Sequence, residues 1–294
     1  LRVRRLPAAA IASRIAGVAE TLQIGELLKR MPTQLSGGQM QRVAIGRALV
    51  RDADVFLMDE PISHLDAQLR ARMRVEFKRL QKEFRATILY VSHDQLEAMT
   101  MSDRIVVLNA GRVQQIGPPQ QIFDRPATRF VAAFVGEPAM NILPVSLRED
   151  AGQPRLDIGH SQVELDREWF NRNSGSLSGR SLLAGLRPQH LSMRAATDRG
   201  ANVIHGSVYA VQTLGSRAIF DVEVGEHLIR VLTTSSEAQN LPRSIGAPTA
   251  FAVDPRRLYL FDSQTEQTIA QASFADRASG RRTQTVMDQA TAST

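Results

Sequence analysis

The chain has 294 residues, 43% hydrophobic and 22% charged, enough apolar material for one large domain or two modest ones. No apolar run approaches the roughly 18 residues of a membrane-spanning helix. With no cysteine, the chain holds neither disulfides nor thiolate metal sites, which fits a reducing cytoplasm. The formal net charge of +6 lies entirely in the front of the chain: residues 1–140 carry 20 Lys/Arg against 14 Asp/Glu, and residues 141–294 carry 16 of each.

The start of the chain contains no signal-peptide core, and because it opens on Leu1 rather than Met, a fragment of a longer protein is expected. Residues 8–30 are predicted helix, with Ile11, Ile15, Val18 and Leu22 on one face and Pro32 as the stop. A glycine-containing turn over 35–39 leads to a second helical stretch over 39–51. Residues 55–58 (V-F-L-M) form a short apolar strand ending in two acids. Next comes a basic amphipathic helix carrying Arg70, Arg72, Arg74, Lys78, Arg79, Lys82 and Arg85, with Leu69, Met73, Phe77, Leu80 and Phe84 at helical spacing. No aromatic residues interleave with these charges on the exposed face, so a solvated helix face is expected there and not a nucleic-acid stripe. Residues 87–91 (T-I-L-Y-V) form a second strand that ends in Ser92, His93 and Asp94. Residues 104–108 and 112–116 flank Asn109-Ala110-Gly111 as a hairpin, and short helices follow from Pro119 and over 127–135. Beyond Gly136 the segments become short and alternating, as in 207–211, 219–224 and 228–232, which predicts a small antiparallel β-domain or barrel up to residue 262. Residues 263–294, rich in Ser, Thr, Gln and Ala, are expected to be a disordered tail.

Four features carry chemistry. In Leu35-Ser36-Gly37-Gly38-Gln39 the glycines leave backbone N–H groups accessible at a helix start, which suits a terminal phosphate; Ser36 and Gln39 fit a plain capping box equally well. The strand over 55–58 delivers Asp59 to a sheet edge where it can hold Mg²⁺, usually through water, and places Glu60 to polarise an attacking water. Asp66 reads as the cap of the basic helix. His93, at the end of the second strand, is either a surface histidine or a hydrogen-bond donor to a phosphate oxygen. Each signal is weak alone, and their order within about sixty residues is what gives them weight.

Residues 35–66 and the segment V-S-H-D-Q-L-E-A-M-T at 91–100 resemble the ATPases of ABC transporters, in particular the sugar-importer branch of the maltose and glycerol-3-phosphate type. The resemblance continues through D-R-I-V-V-L-N-A-G-R at 103–112, G-P-P-Q-Q-I-F-D-R-P at 117–126 and F-V-G-E-P-A-M-N at 134–141. It extends to G-L-R-P-Q-H-L at 185–191 and D-P-R-R-L-Y-L-F-D at 254–262, which are similar to that branch's OB-like regulatory domain. It implies an α/β fold: the back portion of an ATPase domain over 1–135, followed by a β-rich domain over 136–262. By the same resemblance Ser36, Gly37, Gly38 and Gln39 contact the γ-phosphate of ATP held by a second ATPase subunit. Asp59 serves Mg²⁺, Glu60 is the general base, His93 senses the γ-phosphate, and Asp66 belongs to the loop linking the two sites. The implied partners are two transmembrane permease subunits, touched by residues 1–34, and indirectly a periplasmic or extracellular solute-binding protein. The implied place is the cytoplasmic face of the inner membrane.

This sequence departs from that pattern. No G-x-x-x-x-G-K-[ST] occurs in it, so the phosphate cradle and its lysine are expected upstream of Leu1, and the 294 residues alone are expected to be inactive. His64 stands where the branch usually has Asn. Two rival readings are a non-transport ABC protein acting on nucleic acid, disfavoured by the neutral and aromatic-poor residues 141–294, and a regulatory remnant without its own phosphate loop.

Overall fold

The computed structural model describes residues 6–51, 53–63, 65–84 and 87–271. His64, Arg85 and residues 272–294 lie outside the described residues. These residues divide into two compact units: the first runs up to Val106 and adds Ile116–Gln120, while the second takes Val107–Gln115 and continues from Gln121. Among the described residues no helix is long and apolar enough to cross a membrane.

The first unit is built from α1 (Ala8–Thr21), α2 (Gly37–Leu49), β1 (Val55–Asp59), α3 (Ala67–Phe84), β2 (Thr87–Val91) and α4 (Gln95–Met101). The helix expected over 8–30 is shorter. It closes at Thr21 because Gln23 takes a left-handed backbone (φ +52°) and its N–H caps the carbonyl of Glu20. That turn lets Leu22, Ile24 and Leu27 reach the core with Ile45, Leu49, Phe56, Met58, Ile62, Met73 and Phe77. Gly46 makes the approach of α2 possible, since a Cβ there would lie 3.0 Å from Ile24 Cδ1 and 3.2 Å from Leu22 Cδ1. Met73 and Phe77 turn inward from α3 while Arg72 and Arg79 are exposed, and Lys78 donates to Met101 O (2.8 Å) and pairs with Asp103 (3.0 Å). The solvated face expected of the basic run is thus seen at Arg72 and Arg79, while Lys78 is tied down.

β1 and β2 pair in parallel, Val55 opposite Thr87 and Asp59 opposite Val91, with α3 as the crossover such pairs need. Phe56 and Met58 face the core. Val55, Leu57, Leu89 and Val91 are exposed, Leu57 at 76%.

The second unit is antiparallel. The hairpin of β3 (Ile105–Asn109) and β4 (Arg112–Gly117) and the helix α5 (Pro119–Asp124) each contain part of the boundary between the units, and α6 (Arg129–Phe134) follows within the second. The strands that follow are β5 (Asn141–Asp150), β6 (Gln153–Ile158), β7 (Ser161–Glu164), β8 (Leu182–Leu186), β9 (Leu191–Arg194), β10 (Val203–Leu214), β11 (Arg217–Val224) and β12 (His227–Thr234). The last three are β13 (Pro248–Val253), β14 (Tyr259–Asp262) and β15 (Thr268–Gln271), and α7 (Arg167–Leu177) lies between β7 and β8. They form one sheet in the order β12-β11-β10-β13-β9 and a second in the order β15-β14-β8-β5-β6-β7. Alternating inward residues such as Leu156, Ile158, Val163, Phe220, Val222, Phe251 and Leu260 fill the core between them.

Of the tail expected over 263–294, residues 263–271 belong to the fold, and the rest lies outside the described residues. Asp262 accepts from the N–H groups of Gln264 and Thr265, both at 2.9 Å, and this turn feeds β15 onto β14. The side chain of Arg187 is wholly buried, a role that sequence reasoning missed. Its Nη1 donates to Val135 O at 2.8 Å, its Nη2 donates to Phe123 O, and its guanidinium lies 3.8 Å from the centre of the Phe123 ring. Gly136 (φ +128°) leaves it room, since a Cβ there would stand 2.8 Å from Nη1.

His190, close by, is held neutral to about pH 4 by burial first and then by the Arg257 and Arg187 charges. A depressed histidine pKa leaves the folded state short of a proton that the unfolded chain takes up below about pH 6.5. The second unit should therefore lose stability as pH falls from about 6.5 to 4, by about 1–2 kcal/mol after allowance for partial solvent screening. Urea unfolding read on Trp169, the single tryptophan, should show this loss in the native chain and a smaller one in His190→Gln. Equal losses in both would count against it.

Candidate functional site

Asp59 closes β1 with an exposed carboxylate. One residue on, the Glu60 N–H donates to Val91 O (2.9 Å), so the parallel ladder runs one step past the strand and locks the ends of β1 and β2 together. Glu60 itself has φ +44°, a left-handed conformation that costs a non-glycine residue about 1 kcal/mol. The turn that imposes it is well held. Ile62 is wholly buried, the Ser63 hydroxyl donates to Glu60 O at 3.0 Å, and the Gln41 amide of α2 donates to Pro61 O. An open groove of about 560 Å³ runs between α2 and this turn and is lined by Gln41, Asp59, Glu60, Pro61 and Ser63 among others.

His93 follows β2, and its Nδ1 lies 2.8 Å from Glu60 Oε1. The structure thus brings together two residues 33 apart in sequence that were singled out separately. The hydrogen bond to Glu60, and then Glu60's negative charge, raise the His93 pKa above the usual histidine value. The imidazole remains largely open to solvent, 74% exposed.

Ser36 and Gln39 make the reciprocal capping box: Ser36 Oγ accepts from Gln39 N (3.3 Å), and Gln39 Oε1 accepts from Ser36 N (3.0 Å). With that cap the helix starts at Gly37, two residues before the position expected from periodicity, and both glycines fall in its first turn. A Cβ on Gly37 would meet nothing within 4 Å, so the backbone there faces open space. At Gly38 it would touch Leu65 Cδ2 at 3.4 Å. Asp66 caps α3 by accepting from Leu69 N at 2.8 Å.

Arg70, known from the sequence only as one basic residue among seven, ties two of these turns together. Its Nη2 donates to Ser63 O (3.1 Å) and Leu65 O (3.0 Å), and its Nη1 lies 3.7 Å from Asp94 Oδ2. Among the described residues no group of three or more His, Asp or Glu side chains could hold a metal ion. That donor set does not make a protein-built metal cage. It fits a Mg²⁺ bound through one carboxylate, with water and substrate phosphates supplying the rest.

The ABC transporter family matches residues 2–63, and the TOBE domain family matches residues 184–261. The sn-glycerol-3-phosphate import ATP-binding protein UgpC of Cereibacter sphaeroides is 43% identical over 265 residues, spanning 90% of this chain and 70% of its own length. The trehalose/maltose import ATP-binding protein MalK of Thermococcus litoralis is 42% identical over 274 residues, 92% of this chain and 72% of its own length. A glutamate just past a strand end, in contact with a histidine, a capped glycine loop and a β-rich second unit thus occur in a chain closely related to these proteins, and the chain belongs to the ATP-binding subunits of ABC transporters.

Proposed function

We propose that this subunit uses ATP to energise import of a carbohydrate, polyol or sugar phosphate; the relatives above are named for import of sn-glycerol-3-phosphate and of trehalose or maltose. The carrying observation is the 2.8 Å contact between Glu60 and His93 at the ends of adjacent parallel strands. In this reading Glu60 orients and polarises the water that attacks the γ-phosphate. By raising the histidine pKa, Glu60 also favours a doubly protonated ring. Nδ1–H then stays on the carboxylate while Nε2–H is available to a γ-phosphate oxygen. Asp59 is the residue that would hold Mg²⁺, whose charge neutralises the phosphates when bound. Ser36, Gly37, Gly38 and Gln39 would serve ATP held by a second ATP-binding subunit, and Asp66 would stand in the turn linking the two sites. The further partners are two membrane-spanning permease subunits at the cytoplasmic face and, through them, a solute-binding protein. Glycerol-3-phosphate and maltose are the two solutes to try first. Vesicles holding the transporter assembled around this subunit should accumulate one of them only when Mg-ATP is present on the subunit's side. ATP-independent uptake, or none across a panel of sugars, polyols and sugar phosphates, would refute the reading.

A further inference from the structure

Glu97 is a buried carboxylate, 2% exposed, that the proposed hydrolysis does not use. It sits in the first turn of α4, and its Oε2 accepts from Tyr90 Oη (3.0 Å) at the end of β2 and from Ser92 Oγ (2.6 Å) in the turn beyond. Burial first, then the Glu97 charge and hydrogen bond, push the Tyr90 phenol far up, so it remains a donor to the carboxylate. The Ser92 oxygen in turn accepts from Asp94 N (3.0 Å), and Asp94 Oδ1 caps α4 through Leu96 N (2.8 Å) and Glu97 N (3.2 Å). Ser92, on one side of His93, is therefore pinned to the buried carboxylate directly, and Asp94, on the other, through Ser92, while the imidazole itself is mostly exposed and touches Glu60.

We propose that Glu97 is a positioning residue for His93, holding the Ser92–Asp94 turn so that the imidazole meets Glu60. An exposed ring on a three-residue turn has little packing of its own to fix it, so its direction must come from the backbone that carries it. Glu97 supplies that fixing from inside the fold, where hydrogen bonds to a charged acceptor are short and strong. A solvated carboxylate in the same place would exchange its partners with water. Burial is what makes the arrangement rigid. The inference rests on the role given to His93 above.

The test uses a subunit completed with a G-x-x-x-x-G-K-[ST] segment ahead of Leu1, with turnover normalised to nucleotide bound. Glu97→Leu should lower kcat by about 10-fold to 10²-fold, the scale of a misplaced reacting group, with KM for ATP unchanged. Glu97→Gln keeps a carbonyl oxygen for both hydroxyls and should recover much of the loss. Ser92→Ala is small enough to fold in any case; it should lower kcat alone and add nothing on top of Glu97→Leu, because both break one chain of contacts. His93→Ala belongs in the same series and should abolish turnover. If His93→Ala turns over normally, the role of His93 falls and this proposal with it. If His93→Ala is inactive while Ser92→Ala keeps full kcat, or while Ser92→Ala and Glu97→Leu losses simply add, only the positioning role is overturned.

Discussion

Glu60→Gln, in a subunit completed with its phosphate-binding segment, is expected to lower ATP turnover about 10²–10⁴-fold while nucleotide binding persists. Gln keeps the shape of the side chain and can still approach His93 Nδ1, but it cannot draw a proton from water. Asp59→Asn should behave differently. Its carboxylate ends β1 in the open, one residue before the left-handed Glu60, so losing its charge should weaken Mg²⁺-dependent nucleotide binding itself. Turnover at saturating ATP and nucleotide affinity with and without Mg²⁺ separate the two. If both variants merely unfolded, or if Glu60→Gln kept full turnover, the assignment of Glu60 would fail.

The second large effect concerns Ser36, where the capping box observed in the fold and the phosphate-site role proposed above predict opposite outcomes. Ser36→Arg in a completed subunit should leave that subunit's own nucleotide pocket able to bind, yet stop two such subunits closing on ATP. The exposed space beside Gly37 would then be filled by the arginine side chain. Mixed with a subunit lacking the cradle lysine, it makes one site that has lost both features and one that keeps both, so activity should partly return on mixing. A cap-only role predicts loss of about 0.5–2 kcal/mol of stability in every context and no rescue. ATPase rate against mixing ratio, with nucleotide-driven dimerisation followed in parallel, decides between them. A rate that stays flat while dimers still fail to form would favour the cap alone.

Much of this architecture was readable in the sequence because it is local. The strands around Phe56 and Leu89, the hairpin at Asn109 and the short helix from Pro119 follow from periodicity and turn residues within a few positions. The acid pair and His93 were each visible as polar residues at strand ends. Their meeting was not, since it depends on the parallel register of β1 with β2 across 33 residues. The same holds for Arg70, whose partners come from the turns after two separate strands, and for Glu97, whose partners are Tyr90 of β2 and Ser92 just beyond it. Where periodicity misplaced boundaries, one or two residues decided the matter: left-handed Gln23 ended α1 early, and the Asp262 turn carried the chain into β15.

The β1–β2 pair also bears on how this polypeptide behaves in quantity. Among the described residues the two strands pair only with each other, leaving one row of backbone donors and acceptors unmatched on each side. Neither V-F-L-M nor T-I-L-Y-V contains a proline or a charge, and their outward residues Val55, Leu57, Leu89 and Val91 are apolar. Such a ribbon is a template with two open ends, each able to accept a strand from a neighbouring molecule and present a fresh edge to the next. Growth of that kind is not closed by symmetry, so it runs toward open chains of molecules and not toward a finite oligomer. The isolated polypeptide is therefore expected to stay dispersed for shorter times as its concentration rises.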